Sequence, residues 1–132
     1  MLGPKVPVYA YQFDDRNAPS YFPPVSFPTG AYHTADIQFL FPFFHGGPLG
    51  IPHPLSQAQQ VLADQLKDFW TTFARTGNPN GGAGNRRNYP WPRYNLNNPL
   101  YLSENTPESV AFSEAQFSRE HKCDFWDSVL IY

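Results

Sequence analysis

The placement of proline and glycine is the feature that most restricts how this chain can fold. Two segments, residues 14–32 and 42–55, are interrupted every few residues by these types: Pro19, Pro23, Pro24, Pro28 and Gly30 in the first, and Gly46, Gly47, Pro48, Gly50, Pro52 and Pro54 in the second. Proline removes a backbone donor and fixes φ, so neither segment can hold a helix or a ladder-paired strand of any length. The sequence predicts two loops, both longer than the connections of about 4–6 residues that compact domains use.

Regular structure is expected on either side of these loops. Residues 6–13 are rich in β-branched and aromatic types and are apolar on both faces, the pattern of a strand buried on both sides of a sheet. Residues 33–41 place Ile37, Leu40 and Phe41 on one face and predict a short helix that Pro42 ends.

Residues 56–77 carry the strongest helix signal. Ser56 and Gln59 form an S-x-x-Q capping box, Gly77 suits the left-handed position after a helix, and Pro79 prevents the helix from resuming. The apolar residues repeat at steps of three and four and predict one wide buried stripe: Ala58, Val61, Leu62, Leu66, Phe69, Trp70 and Phe73.

Residues 78–132 predict smaller elements. Residues 78–88 are rich in Gly and Asn and are expected to form a surface loop. Residues 100–102 and 110–112 are candidates for a short β-hairpin. A second S-x-x-Q signature at Ser113 predicts a helix over residues 114–127 that buries Phe117, Phe125 and Trp126.

Charge and cysteine content exclude several classes of protein. The formal net charge is −2, and no basic run extends beyond Arg86 and Arg87, so a nucleic-acid partner is not expected. No apolar stretch approaches the roughly 20 residues of a membrane span, and residues 1–5 do not begin a signal peptide, so no compartment is assigned. Cys123 has no cysteine to pair with and is interpreted as a small buried thiol.

The four histidines give no metal-ligand spacing. His45, His53 and His121 have neither cysteine nor carboxylate at the intervals of a zinc site, and His33 with Asp36 would supply only two ligands. Neither a metal nor a cofactor is therefore expected.

A strand buried on both faces needs neighbours on both edges and a layer on each side. The local pattern of the chain shows no second strand of that kind. Together with the long loops, this predicts that residues 1–132 are part of a larger domain, and that the isolated chain can self-associate through exposed apolar surface.

Five blocks of sequence carry a resemblance that agrees with this expectation. They are residues 8–13, 30–41, 69–80, 91–94 and 121–127, which read VYAYQF, GAYHTADIQFLF, FWTTFARTGNPN, WPRY and HKCDFWD. Their content and order resemble the C-terminal part of type-B carboxylesterases, the cholinesterase-like serine esterases of the α/β-hydrolase fold. The resemblance covers nearly the whole chain. It implies an α/β fragment with one strand of the central sheet, a long amphipathic helix, a β-hairpin and a C-terminal helix.

The same resemblance implies a role for His33. In the family a Gly-x-x-His-x-x-(Asp/Glu) context surrounds the histidine of the catalytic triad, and Gly30, His33 and Asp36 match it. By resemblance, His33 would accept the proton of the attacking serine and return it to the leaving alcohol. Without the resemblance, a solvent-exposed residue before a helix would be the ordinary interpretation of His33.

Two features near His33 have alternative interpretations. Asp36 could support the histidine, but a carboxylate at a helix start is favourable by itself, and that structural interpretation is preferred. Tyr32 and the aromatic run 39–44 could line a substrate pocket, although core packing is the more common use of such rings.

The nucleophile of the family is missing from this chain. None of its serines is flanked as Gly-x-Ser-x-Gly, the pattern that exposes a nucleophile on a strand-to-helix elbow. The expected function is therefore the C-terminal part of a carboxylic-ester hydrolase that supplies the triad histidine, acts on a small-molecule ester only in the complete enzyme, and is inactive alone. The alternatives are a non-catalytic cholinesterase-like interaction or adhesion module, and a free-standing aromatic-rich binding module.

Overall fold

The computed structural model describes residues 6–44, 47, 50, 53–81 and 90–129. The elements in chain order are β1 (Ala10–Phe13), α1 (Ile37–Leu40), α2 (Gln57–Thr76), β2 (Leu100–Glu104), β3 (Val110–Ser113), α3 (Glu114–His121) and α4 (Cys123–Val129). This mixed α/β composition confirms the predicted class. Residues 14–32 contain neither helix nor strand, as the prolines require. His45, Gly46, Arg86 and Arg87 lie outside the described residues, as do residues 48–49 and 51–52 of the first predicted loop and most of the predicted loop 78–88.

The three strands form one sheet in the order β1, β2, β3. β2 and β3 are antiparallel and confirm the predicted hairpin, with Tyr101 opposite Phe112. β1 lies parallel to β2, with Tyr11 opposite Leu102 and Phe13 opposite Glu104. The expectation that the chain has no neighbour for the first strand was therefore wrong. β1 pairs with β2, which lies far away along the chain, and a local sequence pattern does not reveal such a pairing.

β1 is shorter and more exposed than the sequence suggested. Only Ala10–Phe13 form the strand, while Val6 and Val8 precede it with exposed side chains. Tyr11 is itself 37 % exposed, so burial on both faces is not realised within this chain. Among the described residues, no strand pairs with the other edge of β1.

The boundaries of α2 agree with its sequence signals. The Ser56 hydroxyl accepts a hydrogen bond from the Gln59 backbone N–H, the Gln59 side chain accepts one from the Ser56 backbone N–H, and Gly77 ends the helix at φ 73°. Its buried apolar face contains Leu62, Leu66 and Phe69. The predicted stripe was too wide, because Val61, Trp70 and Phe73 remain 41–49 % exposed where no described layer covers them.

Helices cover both faces of the sheet. Consecutive residues of a strand point to opposite sides. Leu102 packs with Phe69 of α2 in a cluster that also includes Trp91. Tyr101, the residue before Leu102 on β2, stacks on Phe117 of α3, with ring centroids 4.8 Å apart. The result is a three-layer arrangement in which β2 is the central strand.

The C-terminal helix prediction over residues 114–127 requires correction. Ser113 caps α3 as expected, but Lys122 adopts a left-handed conformation with φ 56° and separates α3 from α4. Phe117 is half-buried against the sheet, whereas Phe125 and Trp126 are 57 % and 55 % exposed. The aromatic residues of the second half, Phe125 and Trp126, contact each other, with ring centroids 5.1 Å apart.

The predicted helix over residues 33–41 also requires correction. Residues 33–36 form turns, and only Ile37–Leu40 are helical. The buried side chains are Gln38 and Phe39 rather than the predicted face that includes Phe41, which is exposed. α1 packs against α2 through Phe39, which lies in one core cluster with Leu62 and Leu66.

No helix in the described part of the chain is both long enough and apolar enough to cross a membrane.

Candidate functional site

The predicted site residue, His33, lies on the loop that leaves the carboxyl end of β1. In sheets with parallel strands, ligands bind outside the carboxyl ends of those strands. β1 and β2 are parallel and end together at Phe13 and Glu104. The Asp14 backbone N–H donates to the Glu104 carbonyl at 2.9 Å, which extends the pairing to the start of the loop. Gly30 and Ala31 line one cavity together with Phe13 and Asp14, so the residues just before His33 lie beside this end of β1.

The backbone around His33 is held in unusual conformations. Gly30 has φ 61° and Thr34 has φ 76°. A glycine accepts such a value freely, but a β-branched residue there is an outlier that costs of the order of 1–3 kcal/mol. The Thr34 hydroxyl contacts the Tyr21 hydroxyl, and the Ala35 N–H donates to the Tyr32 carbonyl at 3.0 Å. The sharp turn leaves the His33 side chain exposed.

Buried contacts on either side of His33 fix the loop in place. Ala35 is fully buried in the core beside Phe39. The Gln38 side-chain amide donates to the Pro19 carbonyl at 2.7 Å, and the Tyr32 hydroxyl donates to the same carbonyl at 3.1 Å. These bonds connect the two halves of the loop directly, so His33 is carried by an ordered framework.

A second anchor lies where the loop begins. Asp15 is 0 % exposed, and its carboxylate accepts hydrogen bonds from the Asn17 N–H at 3.1 Å, the Thr106 hydroxyl at 3.2 Å and the Gln59 amide at 2.9 Å. Hydrogen bonds to a charged group contribute about 1.5–3 kcal/mol each. This carboxylate joins the loop to both α2 and the turn after β2.

Aromatic rings surround the base of the loop. Tyr21 lies at the centre, within 4.5–5.7 Å of the rings of Phe22, Tyr32 and Phe44. Phe39 is 1 % exposed and contacts Phe13, which confirms the core interpretation for that residue. Burial raises the pKa of the Tyr32 hydroxyl, in keeping with packing rather than free exposure.

The carboxyl groups of Asp36 and Glu104 differ in exposure, since Asp36 is partly exposed and Glu104 is buried. Asp36 occupies the N-cap position of α1 but makes no capping hydrogen bond with its side chain. Glu104 is almost fully buried, and its pKa is raised well above the ordinary value by burial, then by the charges of Asp36 and Asp14. No sequence signal pointed to Glu104, since a glutamate at the end of a short strand is usually exposed.

The structure places His33 and Asp36 in the same turn. Among the residues the structure describes, neither the His33 imidazole nor the Asp36 carboxylate has a hydrogen-bond partner. His121 is remote in sequence and bonds instead to the Gln12 side chain at 2.7 Å. Within the described ranges, no group of three or more His, Cys, Asp or Glu is arranged to hold a metal ion. Cys123 is half-buried and unpaired.

Comparison with known proteins identifies the class to which this fold and loop belong. The model of the carboxylesterase family matches residues 1–126. The chain belongs to the carboxylesterase family.

Individual relatives agree with that assignment. Carboxylesterase 4A of Bos taurus is 36 % identical over 121 residues, an alignment that covers 91 % of this chain and 19 % of the relative. Acetylcholinesterase of Bungarus fasciatus is 32 % identical over 123 residues, which cover 93 % of this chain and 18 % of the relative. The chain spans about a fifth of the length of these relatives.

Solved structures show the same fold. A thermophilic PNB esterase matches 88 % of this chain and 22 % of its own, with a TM-score of 0.61 and 22 % identity. A carboxylesterase of Geobacillus stearothermophilus matches 88 % of this chain and 21 % of its own, with a TM-score of 0.58 and 26 % identity. The architecture is therefore part of an α/β-hydrolase fold, as the sequence predicted.

Proposed function

We propose that this chain is the C-terminal part of a carboxylic-ester hydrolase and that His33 is its catalytic base. The observation that supports this most directly is the placement of an exposed imidazole on a rigidly anchored turn, next to a β-branched residue with positive φ. Strain of that kind persists only where the surrounding structure maintains it, and it is concentrated at functional sites.

The chemistry assigned to His33 is proton transfer. A neutral imidazole has one acceptor nitrogen and one donor nitrogen, so it can take a proton from a serine hydroxyl and later pass a proton to the leaving alcohol. The free hydrogen-bonding capacity of His33 within the described residues suits a group that meets its partners on another part of the domain. The serine is not part of this sequence, so we expect no esterase turnover from the chain alone.

Two proteins test this proposal: the 132-residue chain, and the same chain preceded by an upstream segment that carries Gly-x-Ser-x-Gly. We expect hydrolysis of p-nitrophenyl esters only by the extended protein. His33→Ala should lower its turnover by several orders of magnitude, because the members of a triad act as a unit. His53→Ala, at another exposed histidine, is the control and should retain activity.

Turnover by the unextended chain that depends on His33 would refute the account of the missing nucleophile. Full activity of the extended His33→Ala protein would refute the catalytic assignment. A glycine or alanine at the serine position of the natural upstream sequence would favour the interaction module instead.

Self-association of the isolated chain is a second property that we propose. An apolar cavity of about 360 Å³ beside β1 is lined by Tyr9, Tyr11, Trp70, Phe73, Ala74 and Trp91, and within the described ranges one edge of β1 has no partner strand. Unpaired strand edges and exposed aromatic patches favour association. Sedimentation velocity should show concentration-dependent association that Trp70→Lys weakens. A strictly monomeric wild-type chain would contradict this.

A further inference from the structure

Thr34 follows His33 directly and has a backbone conformation that its residue type disfavours. The Ala35 N–H donates to the Tyr32 carbonyl at 3.0 Å, which closes a four-residue turn with His33 second and Thr34 third. Thr34 has φ 76°. A positive φ at the third position is characteristic of a type II turn, where glycine is usual because it has no Cβ. A β-branched threonine needs support from its surroundings to stay in this conformation.

A hydrogen bond between two hydroxyl groups supplies support of this kind. The Thr34 hydroxyl bonds with the hydroxyl of Tyr21, which lies 13 residues earlier in the chain. Tyr21 is 6 % exposed, and the hydroxyl of a buried tyrosine needs a hydrogen-bond partner. The Thr34 carbonyl accepts from the Ile37 N–H at 3.1 Å. Thr34 is therefore held through its side chain as well as through its backbone.

Tyr21 is itself fixed by its neighbours. Its ring contacts those of Tyr32 and Phe44, with centroid distances of 5.7 Å and 5.2 Å. Two residues before it, the Pro19 carbonyl accepts from the Tyr32 hydroxyl at 3.1 Å. Because Tyr21 is held in this way, its hydroxyl can restrain Thr34.

The ring and the hydroxyl of Tyr21 have different uses. A phenylalanine at this position would keep the ring contacts and the burial. It would lose the bond to Thr34, so core packing alone does not account for the hydroxyl. The atom that the hydroxyl contacts belongs to the strained residue beside His33.

We propose that Tyr21 is a positioning residue for His33: its hydroxyl holds Thr34 in the positive-φ conformation and so fixes the direction in which the turn presents the imidazole. This inference rests on the proposed role of His33. Without the hydroxyl, Thr34 can return to negative φ, and the exposed His33 side chain takes up several orientations. Proton transfer requires a fixed orientation, and a misplacement of about 1 Å can lower a rate about 100-fold.

Nuclear magnetic resonance and amide hydrogen exchange on the 132-residue chain test the structural part of the proposal. Tyr21→Phe should move or broaden the ring Cε1 signal of His33. It should also make exchange of the Ala35 amide about 2- to 10-fold faster, because a hydrogen bond of ordinary net strength is lost from the closed turn. Tyr94→Phe is the matched control, since it removes a hydroxyl that donates to Glu114 at 3.3 Å. Both readouts should stay at their wild-type values in that control.

Substitutions at Thr34 show whether Tyr21 acts through the strained turn. Thr34→Val removes the hydroxyl but keeps the branched side chain, so it should reproduce the effects of Tyr21→Phe, and the double variant should be no worse than either. Thr34→Gly removes both the hydroxyl and the strain, because glycine adopts φ 76° freely. In the Thr34→Gly background, Tyr21→Phe should cause no further change. Additive effects of Tyr21→Phe and Thr34→Val would overturn the proposal, as would wild-type readouts in Tyr21→Phe.

The extended protein that carries Gly-x-Ser-x-Gly tests the link to catalysis. With p-nitrophenyl esters, Tyr21→Phe should lower kcat about 10- to 100-fold and leave KM nearly unchanged, because His33 acts in proton transfer rather than in substrate binding. Tyr94→Phe should keep the wild-type kcat. A wild-type kcat in Tyr21→Phe, in a protein that His33→Ala inactivates, would overturn the positioning role. The measurements on the 132-residue chain do not depend on catalysis, so they can succeed even if His33→Ala refutes the ester-hydrolase assignment, and the reverse also holds.

Discussion

Gln59→Glu should destabilise the chain although the helix signal alone predicts the opposite. Gln59 is the N3 residue of the capping box of α2, where glutamate caps as well as glutamine. A negative charge in the first turn of a helix is favourable by about 0.3–1 kcal/mol. Considered only as a helix residue, the substitution should be neutral or slightly stabilising.

The tertiary structure reverses that expectation. The Gln59 amide donates to the buried Asp15 carboxylate at 2.9 Å and to the Asn17 carbonyl at 2.9 Å. Glutamate at neutral pH has no donor for either. The bond to the carboxylate contributes about 1.5–3 kcal/mol and the bond to the carbonyl about 1 kcal/mol. After the helix gain is subtracted, the expected loss is about 1.5–3.7 kcal/mol, before any repulsion between the introduced carboxylate and Asp15 is included.

Urea unfolding followed by tryptophan fluorescence and far-UV circular dichroism measures this loss. The midpoint should fall while the slope with denaturant stays constant, since the amount of buried surface does not change. Gln57→Glu is the control, because it makes the same charge change in the first turn of α2 on an exposed side chain. That control should lie within about 0.5 kcal/mol of wild type. A Gln59→Glu midpoint equal to or above wild type would refute the assignment of Gln59 as the anchor of the loop.

Two further substitutions test the buried polar groups of the sheet. The raised pKa of Glu104 means that its ionisation opposes folding, so its contribution is fully favourable below the unfolded pKa of about 4.3 and is lost as the pH rises through the folded pKa. Glu104→Gln should therefore be more stable than wild type at neutral pH, by about 1.4 kcal/mol for each unit by which the pKa is raised, and the difference should vanish in acid. Equal stability of Glu104→Gln and wild type at both pH values would contradict the raised pKa of Glu104. Trp91→Phe removes the hydrogen bond from the indole N–H to the Ala10 carbonyl, which is 3.0 Å long, along with part of the ring contact with Phe69. Urea titration should show a loss of about 1–3 kcal/mol, and an unchanged midpoint would mean that this bond does not hold β1.

The local signals of the chain predicted its best-defined elements. Ser56, Gln59 and Gly77 placed both ends of α2, because capping and left-handed conformations depend on a few adjacent residues. The hairpin of β2 and β3 followed from two short strand patterns around a turn. The resemblance to the carboxylesterases was likewise carried by contiguous blocks, and the family match confirms it.

The same local reasoning failed where burial depended on distant partners. The apolar stripe of α2 left Trp70 and Phe73 exposed, while Gln65 and Thr72 are buried on the same helix. The periodicity shows which helix positions are apolar, but it does not show which of those positions another layer of the fold will cover. The break at Lys122 was missed for a related reason, since no glycine or proline marked it.

For the candidate site, the prolines marked the loop before His33, and the resemblance to the family singled out His33 itself as a prediction. What holds that loop became visible only in the folded chain: the Asp15 side chain accepts a hydrogen bond from Gln59 of α2, and the backbone carbonyl of the buried Glu104 accepts one from Asp14. The difference arises because the energy of a polar side chain depends on its solvent exposure and on its partners. Those partners lie on segments far apart in the chain, and folding alone brings them together.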